Sequence, residues 1–181
     1  MLELKKFFNG KILDIGGGGE GVIGRLYGRQ VIAIDCCQVE LDEVNNESQK
    51  ILMDATKMEF PERTFDYITS FYTLMFMNES DQQKTLCEAT RVLKETGEIH
   101  IWDCHISSAY PNPFCVDVDV CLPDQKIHTT YGIVKQDVQS EASIKALCQK
   151  AGLQIIDLKT NGLHFYMRCK KAKDGEDYVK N

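Results

Sequence analysis

Short apolar runs alternate with polar or helix-like stretches through the first hundred residues of this chain. The runs predict five strands, at Lys11–Gly16, Gln30–Asp35, Lys50–Asp54, Phe65–Phe71 and Glu98–Asp103. A glycine turn and a helix over residues 17–28 join the first two. Cys36 to Asn46 holds at most a short helix, and Pro61 discourages a long one in residues 55–61. A longer helix is predicted over Ser80–Leu93. Ser80-x-x-Gln83 matches a capping box, and Leu86, Ala89, Val92 and Leu93 share one face. A turn at Glu95-Thr96-Gly97 leads to the fifth strand. Strands separated by helical or loop crossovers imply a parallel sheet covered on both faces.

The pattern changes after Cys104. Val116, Val118, Val120 and Leu122 alternate with Asp117, Asp119 and Cys121, which predicts a half-buried strand, and Ile127–Val134 forms its return. A β-hairpin at about residues 115–134 is therefore inserted after the fifth strand. Ser140 is placed to cap a helix carrying Ile144, Leu147, Cys148 and Ala151, which Gly152 stops. Strands at Leu153–Lys159 and Leu163–Lys170 turn at Asn161-Gly162. Residues 1–10 are a lead-in, with one helical turn through Leu4 and Phe7 or Phe8. Residues 1–171 are expected to form one domain, and the polar residues 172–181 a disordered tail.

Composition narrows the class. A hydrophobic share of 43% and a charged share of 27% suit a globular domain. No apolar run is long enough to span a bilayer and the start lacks an export core, so the expected setting is cytoplasmic without a membrane partner. A formal net charge of −6 without a basic block argues against nucleic acid as the main partner. Eight cysteines are many, but none forms a C-x-x-C pair. Cys87, Cys148 and Cys169 sit among apolar residues as small hydrophobes. Asp103-Cys104-His105 with Cys115 and Cys121 fits no standard zinc spacing, so no metal is expected.

The candidate chemistry lies in Ile12 to Asp35, which runs strand, glycine turn, helix, strand, acid. Glycine lets a backbone turn sharply and approach a ligand closely. Asp35 stands where an acid at a strand end accepts hydrogen bonds from ribose hydroxyls. The unit points to a nucleoside-containing ligand. Gly16, Gly18 and Gly21 satisfy G-x-G-x-x-G, so a nicotinamide dinucleotide is one reading. Asp14, Asp54-Ala55, Phe65-Asp66 and the closing antiparallel pair point elsewhere.

With these features the sequence resembles the class I S-adenosylmethionine-dependent methyltransferases, of the small-molecule type with a minimal domain, over about residues 10–170. The resemblance rests on Leu13-Asp14-Ile15-Gly16-Gly17-Gly18, Asp35, Met53-Asp54-Ala55, Phe65-Asp66-Tyr67-Ile68-Thr69-Ser70, and Arg91-Val92-Leu93-Lys94 before Gly97. It implies an α/β, Rossmann-like, seven-stranded mostly parallel sheet of order 3-2-1-4-5-7-6, strand seven antiparallel, with helices on both faces. It implies S-adenosylmethionine as cofactor, S-adenosylhomocysteine as product and a small-molecule acceptor. By the same resemblance Gly16, Gly17 and Gly18 wrap the methionine part, with Asp14 fixing the turn and touching the amino group. Asp35 takes the ribose, Asp54 and the Ala55 N–H meet the adenine, and Ser70 and Phe71 lie beside the methionine amino group and the sulfonium. Cys36 lines the adenine pocket.

Departures from the family pattern shape the rest. The usual third glycine falls at Glu20, whose carboxylate is expected to point outward. The histidine that many relatives carry after strand four is replaced by Thr73-Leu74-Met75-Phe76-Met77. The lead-in leaves no room for the N-terminal helices that cover the acceptor in many relatives, and the hairpin is expected to replace them. Asp103, His105 and Tyr72 are the candidate catalytic residues, and His128 a weaker one. The cluster from Tyr72 to Met77 is either core packing or a substrate wall. Two other classes stay open: a NAD(P)-dependent oxidoreductase, and a non-catalytic S-adenosylmethionine binder. The acceptor is not legible, and the hairpin valines suit pairing across a homodimer.

Overall fold

Apolar runs buried on both faces favour a parallel ladder, and here they build the centre of a seven-stranded sheet. The computed structural model describes residues 1–107 and 110–173, so residues 174–181 of the expected tail lie outside the described residues. In spatial order the sheet is β4 (Gln49–Leu52), β3 (Val31–Asp35), β2 (Ile12–Ile15), β5 (Phe65–Phe71), β6 (Leu93–Cys104), β10 (His164–Lys171) and β9 (Leu153–Asn161). From β4 to β6 the neighbours run parallel, and β10 runs antiparallel to both β6 and β9. The chain leaves β2 toward β3 on one side and returns to β5 on the other, opening a crevice at the carboxyl ends of these strands.

The two faces are covered differently. On one, α3 (Glu79–Val92) and α4 (Glu141–Lys150) bury Leu86, Ala89, Val92, Ile144, Leu147 and Cys148 against the strands. Asn78 caps α3 by accepting from the Asp81 N–H, two residues before the Ser80 cap expected from sequence. Ser140 does cap α4, in a reciprocal capping box with Ser143. On the other face lie α1 (Val22–Tyr27), α2 (Gln38–Glu43) and a second, three-stranded sheet, β1 (Leu2–Glu3), β7 (Phe114–Cys121) and β8 (Lys126–Ile133). Val116, Val118 and Val120 of β7 close over Val22, Ile23, Leu26 and Trp102.

Several expectations are corrected. The lead-in is extended rather than helical. Leu2 and Glu3 pair in parallel with Val120 and Cys121, and the Leu4 N–H donates to the Cys121 carbonyl. Leu4 and Phe8 are buried while Phe7 is exposed, and the Tyr27 hydroxyl ties the segment down by accepting from the Phe7 N–H at 3.1 Å. Helix α1 is six residues long, because left-handed backbone at Gly19 and Gly21 delays its start and Gly28 ends it. The turn expected at Glu95-Thr96-Gly97 lies inside β6, which begins at Leu93 opposite Phe65 and carries an irregularity there. The last hairpin turns at Gly162-Leu163, one residue later than expected, with Asn161 opposite His164. Cys87 is exposed, whereas Cys148 and Cys169 are buried. Among the described residues no helix is long and apolar enough to cross a membrane.

The centre of the sheet carries the stability. Leu13 of β2 is fully buried, and Leu13→Ala is expected to lower unfolding free energy by about 2–5 kcal/mol. Urea denaturation checks this, with an unchanged denaturant slope marking an intact fold.

Candidate active site

The glycine turn is held by contacts that leave no room for side chains. A Cβ on Gly16, whose φ is 69°, would overlap the Thr73 side chain. The Thr73 hydroxyl in turn donates to the Ile15 carbonyl at 2.9 Å, pinning the end of β2 to the segment after β5. A Cβ on Gly17 would stand 2.7 Å from both Asp14 Oδ2 and Ala33 Cβ, and one on Gly18 would stand 2.6 Å from Glu40 Cβ and 2.8 Å from Asp35 Oδ2. The Gly19 N–H donates to the Glu40 carbonyl at 2.9 Å, fastening α2 to the turn.

Beside this turn runs a cavity of about 900 Å³. It is lined by Met53, Asp54 and Ala55 after β4, by Asp35 and Cys36 at the end of β3, and by Phe71, Tyr72 and Phe76 at and after the end of β5. Of the residues selected from sequence, Gly16, Gly18, Asp35, Cys36, Asp54, Ala55, Phe71 and Tyr72 meet here. Asp35 also accepts from the Cys37 N–H at 2.9 Å, which sets its rotamer at the start of α2. Asp54 accepts from the Thr56 N–H and hydroxyl, and those hydrogen bonds hold its carboxyl below the usual carboxylate range.

Other selected residues lie behind the cavity wall. Asp14 is buried under the turn, where the Thr69 hydroxyl donates to it at 2.7 Å. Burial raises its pKa to about 7, with the nearby Asp35 charge acting in the same direction. Gly17 supplies the gap that Asp14 occupies. Ser70 is buried, and its hydroxyl has no hydrogen-bond partner among the described residues.

Two of the catalytic candidates are displaced from the cavity. Asp103 is fully buried in β6, and its carboxylate accepts from the Met75 and Cys104 N–H groups and from Gln139 Nε2. Burial raises its pKa to about 6. Gln139 Oε1 accepts from Gln82, whose side chain also donates to the Leu74 carbonyl. This network fixes the 3-10 turn Leu74–Phe76, so Asp103 is a positioning residue for Phe76. His105 faces away, 3.8 Å from Glu141 and edge-on to Phe165. His128 is exposed on the other face of β8, paired with Asp119 at 2.8 Å.

Tyr72 does reach the cavity. Its φ of 52° turns the chain at the end of β5, and its hydroxyl lies 2.6 Å from His164 Nδ1. Its ring stacks on Tyr131 at 5.4 Å between centroids, and Phe76 meets Tyr131 edge-on at 6.2 Å. Leu74 and Met75 are core, whereas Phe76 and Met77 line the cavity. Glu20 points inward, contrary to expectation: it accepts from the Thr129 hydroxyl and, at 3.2 Å, from the Tyr131 hydroxyl. Thr129 and Tyr131 are two apart on β8 and share a face, so the alternation of that strand contained the signal. Arg25 and Thr73 were also missed, and nothing in their local pattern marked them.

The cavity is acidic. Glu20, Asp35, Glu40, Glu43, Asp54 and Asp81 line it against Arg25. Burial followed by the neighbouring Glu43, Asp35 and Glu20 charges raises the Glu40 pKa. Such a site attracts a cation and resists a diphosphate. Among the described residues no group of three or more His, Cys, Asp or Glu side chains is placed to hold a metal.

Asp14 gives the site a pH signature. Its carboxyl ionises near 3.8 in the unfolded chain but keeps its proton in the fold to about pH 7. Over that interval the unfolded state binds fewer protons, so this group lowers stability as pH rises. Asp14→Asn is expected to flatten that component, read as a smaller drop in the urea midpoint between pH 5 and pH 8 than in the parent protein.

Residues 13–101 match the family model described as a methyltransferase domain. Among curated proteins, the phosphoethanolamine N-methyltransferase of Plasmodium falciparum (isolate 3D7) is 33% identical over 104 residues, covering 52% of this chain and 39% of that protein. The eEF1A lysine and N-terminal methyltransferase of Homo sapiens is 29% identical over 99 residues, covering 49% of this chain and 14% of that protein. The chain thus matches well under half the length of these relatives. Among solved structures, a protein of Pyrococcus horikoshii OT3 superposes with a TM-score of 0.68 at 16% identity, covering 91% of this chain and 82% of that one. An S-adenosylmethionine-dependent methyltransferase of Clostridium acetobutylicum ATCC 824 gives 0.62 at 13% identity, covering 90% and 84%. These structural likenesses speak for the fold, and the matched segment contains the glycine turn, Asp35, Asp54 and Tyr72. Over residues 13–101 the chain is thus similar to methyltransferase domains, and its fold is similar to that of an S-adenosylmethionine-dependent methyltransferase of known structure.

Proposed function

We propose that this protein transfers a methyl group from S-adenosylmethionine to a small-molecule acceptor. The observation that carries the reading is the acidic cavity at the carboxyl ends of β2, β3 and β5. Asp54 and Ala55, Asp35, the glycine turn and Tyr72 all line it. The residues present suit the cofactor. Gly16 and Gly18 keep the turn free of side chains, Asp35 offers a carboxylate at a strand end for ribose hydroxyls, and Asp54 and Ala55 stand at the far end for the adenine. Ser70 and Phe71 sit toward the methionine end, and Asp14 supports the turn from beneath. Arg25 is the cation along the cavity for the cofactor carboxylate.

When bound, S-adenosylmethionine supplies a methyl carbon already activated by its sulfonium leaving group. The chain's task is then to bind, align the acceptor and exclude water. Tyr72 and Phe76 line the cavity together with Thr129 and Tyr131 of β8. The Tyr72 hydroxyl is engaged with His164, and burial raises its pKa, so in the neutral form it serves as wall and hydrogen-bonding group rather than as phenolate. Asp103 and His105 are not needed at the reacting atoms.

The oxidoreductase reading is disfavoured by the cavity charge, since six carboxylates facing one guanidinium oppose a diphosphate. Calorimetric titration with S-adenosylmethionine, S-adenosylhomocysteine and NADH decides between them. The expected result is micromolar binding of the first two, weakened about tenfold or more by Asp35→Ala, and no binding of NADH. Binding of NADH alone would overturn the proposal. A non-catalytic binder would hold the cofactor yet release no S-adenosylhomocysteine with any acceptor tested.

A further inference from the structure

Resting on the methyl-transfer reading above, we infer that the acceptor is an aliphatic amine, recognised as its ammonium by Glu20 and the aromatic corner of Tyr72, Phe76 and Tyr131. The corner is built from three elements. Tyr72 is placed by its left-handed backbone at the end of β5, Phe76 by the 3-10 turn that Asp103 fixes, and Tyr131 by β8. Tyr131 and Phe76 stand nearly perpendicular, at 83°, with centroids 6.2 Å apart, and Tyr72 stacks behind Tyr131 at 20°. The edge-to-face contact of Phe76 with Tyr131 makes an aromatic corner in the cavity lining, and Phe76 remains 49% exposed.

Into this corner Glu20 brings a carboxylate. Both its oxygens are held, by the Thr129 and Tyr131 hydroxyls, and among the described residues no lysine, arginine or histidine forms an ion pair with it. The contact of Arg25 with this residue is to its backbone carbonyl. A carboxylate oriented by neutral donors, beside aromatic faces and without a counter-ion, is the chemistry that recognises an organic cation. Hydroxyl donors fix its direction without neutralising it. A phosphorylated or carboxylated acceptor would meet repulsion here, and a phenol or thiol would leave the charge unpaired.

The reaction balances for an amine. The bound ammonium gives one N–H proton to solvent, and the freed lone pair forms the N–C bond to the methyl carbon. The C–S bond breaks with its electron pair moving to sulfur, leaving S-adenosylhomocysteine and a methylated amine. The ammonium chemistry is shared by free alkylamines and by the lysine side chain of a peptide.

The test uses the protein loaded with S-adenosylhomocysteine, titrated calorimetrically with choline and with its uncharged isostere 3,3-dimethylbutan-1-ol. Choline is expected to bind about tenfold or more tightly than the alcohol. Glu20→Gln and Phe76→Leu should each weaken choline about fivefold or more while leaving S-adenosylhomocysteine affinity within about twofold. Phe76→Leu changes a half-exposed side chain, so it reports even if Glu20→Gln disturbs the turn. Methylation of n-butylamine or of a lysine-containing tripeptide, followed as S-adenosylhomocysteine release, then separates the two sources of the amine. Equal binding of choline and the alcohol would overturn the inference, and so would a Glu20→Gln effect on S-adenosylhomocysteine larger than that on choline. Failure of the parent protein to bind S-adenosylhomocysteine would instead remove the methyl-transfer reading on which the inference stands.

Discussion

The structure depends on one close approach: the backbone from Gly16 to Gly19 passes through a gap that admits no side chain. Thr73 presses on it from the end of β5, Glu40 from α2, and the Asp14 carboxyl from beneath. Each contact locates a different element. Thr73 ties β5 to β2, the Glu40 carbonyl ties α2 to the turn, and the Asp14–Thr69 hydrogen bond crosses the β2–β5 ladder at a point where the two residues are opposite each other. With three sides filled by protein, the fourth side of the turn becomes the wall of the cavity. Close packing there and space beside it are two results of the same absence of Cβ atoms.

The second layer of the design is a substitution of strands for helices. On the face away from α3 and α4, a three-stranded sheet covers the apolar residues of α1 and of the central strands. Because Thr129 and Tyr131 of β8 donate to Glu20, this cover also reaches the glycine turn. The buried chain from Gln82 through Gln139 to Asp103 does a related task on the opposite side, where it holds the turn that carries Phe76. Two hydrogen-bonded polar arrangements therefore set the shape of the cavity, and the Gln82–Gln139–Asp103 network is costly to break because its buried members have no water to fall back on.

Much of this was legible in the sequence where local pattern and tertiary demand agree. The central strands showed as apolar runs because both their faces are covered, and Ser140 and Gly152 marked the ends of α4 through ordinary capping chemistry. Gly16, Gly18 and Asp35 were visible because their residue types follow from backbone geometry and from the strand-end position. The errors fall where a distant partner decides. The spacing of Leu4 and Phe8 fits a helical turn, but their burial comes from an extended segment beside β7. Asp103 lies at a suggestive place along the chain, yet Gln139 and two backbone N–H groups consume its carboxylate. Glu20 was expected in solvent because the residues that turn it inward are on β8, far away in sequence.

The parallel pairing of Leu2 and Glu3 with Val120 and Cys121 has a consequence for assembly. This ladder joins two strands far apart in sequence, so its loop-closure entropy is met only after the intervening chain has collapsed. The segment from Leu2 to Phe8 precedes β7 in the chain and has no partner strand until β7 has followed. Until then Leu4 and Phe8 lack the strand that covers them. Covering Leu4 and Phe8 therefore depends on a strand far along the chain rather than on their neighbours in sequence.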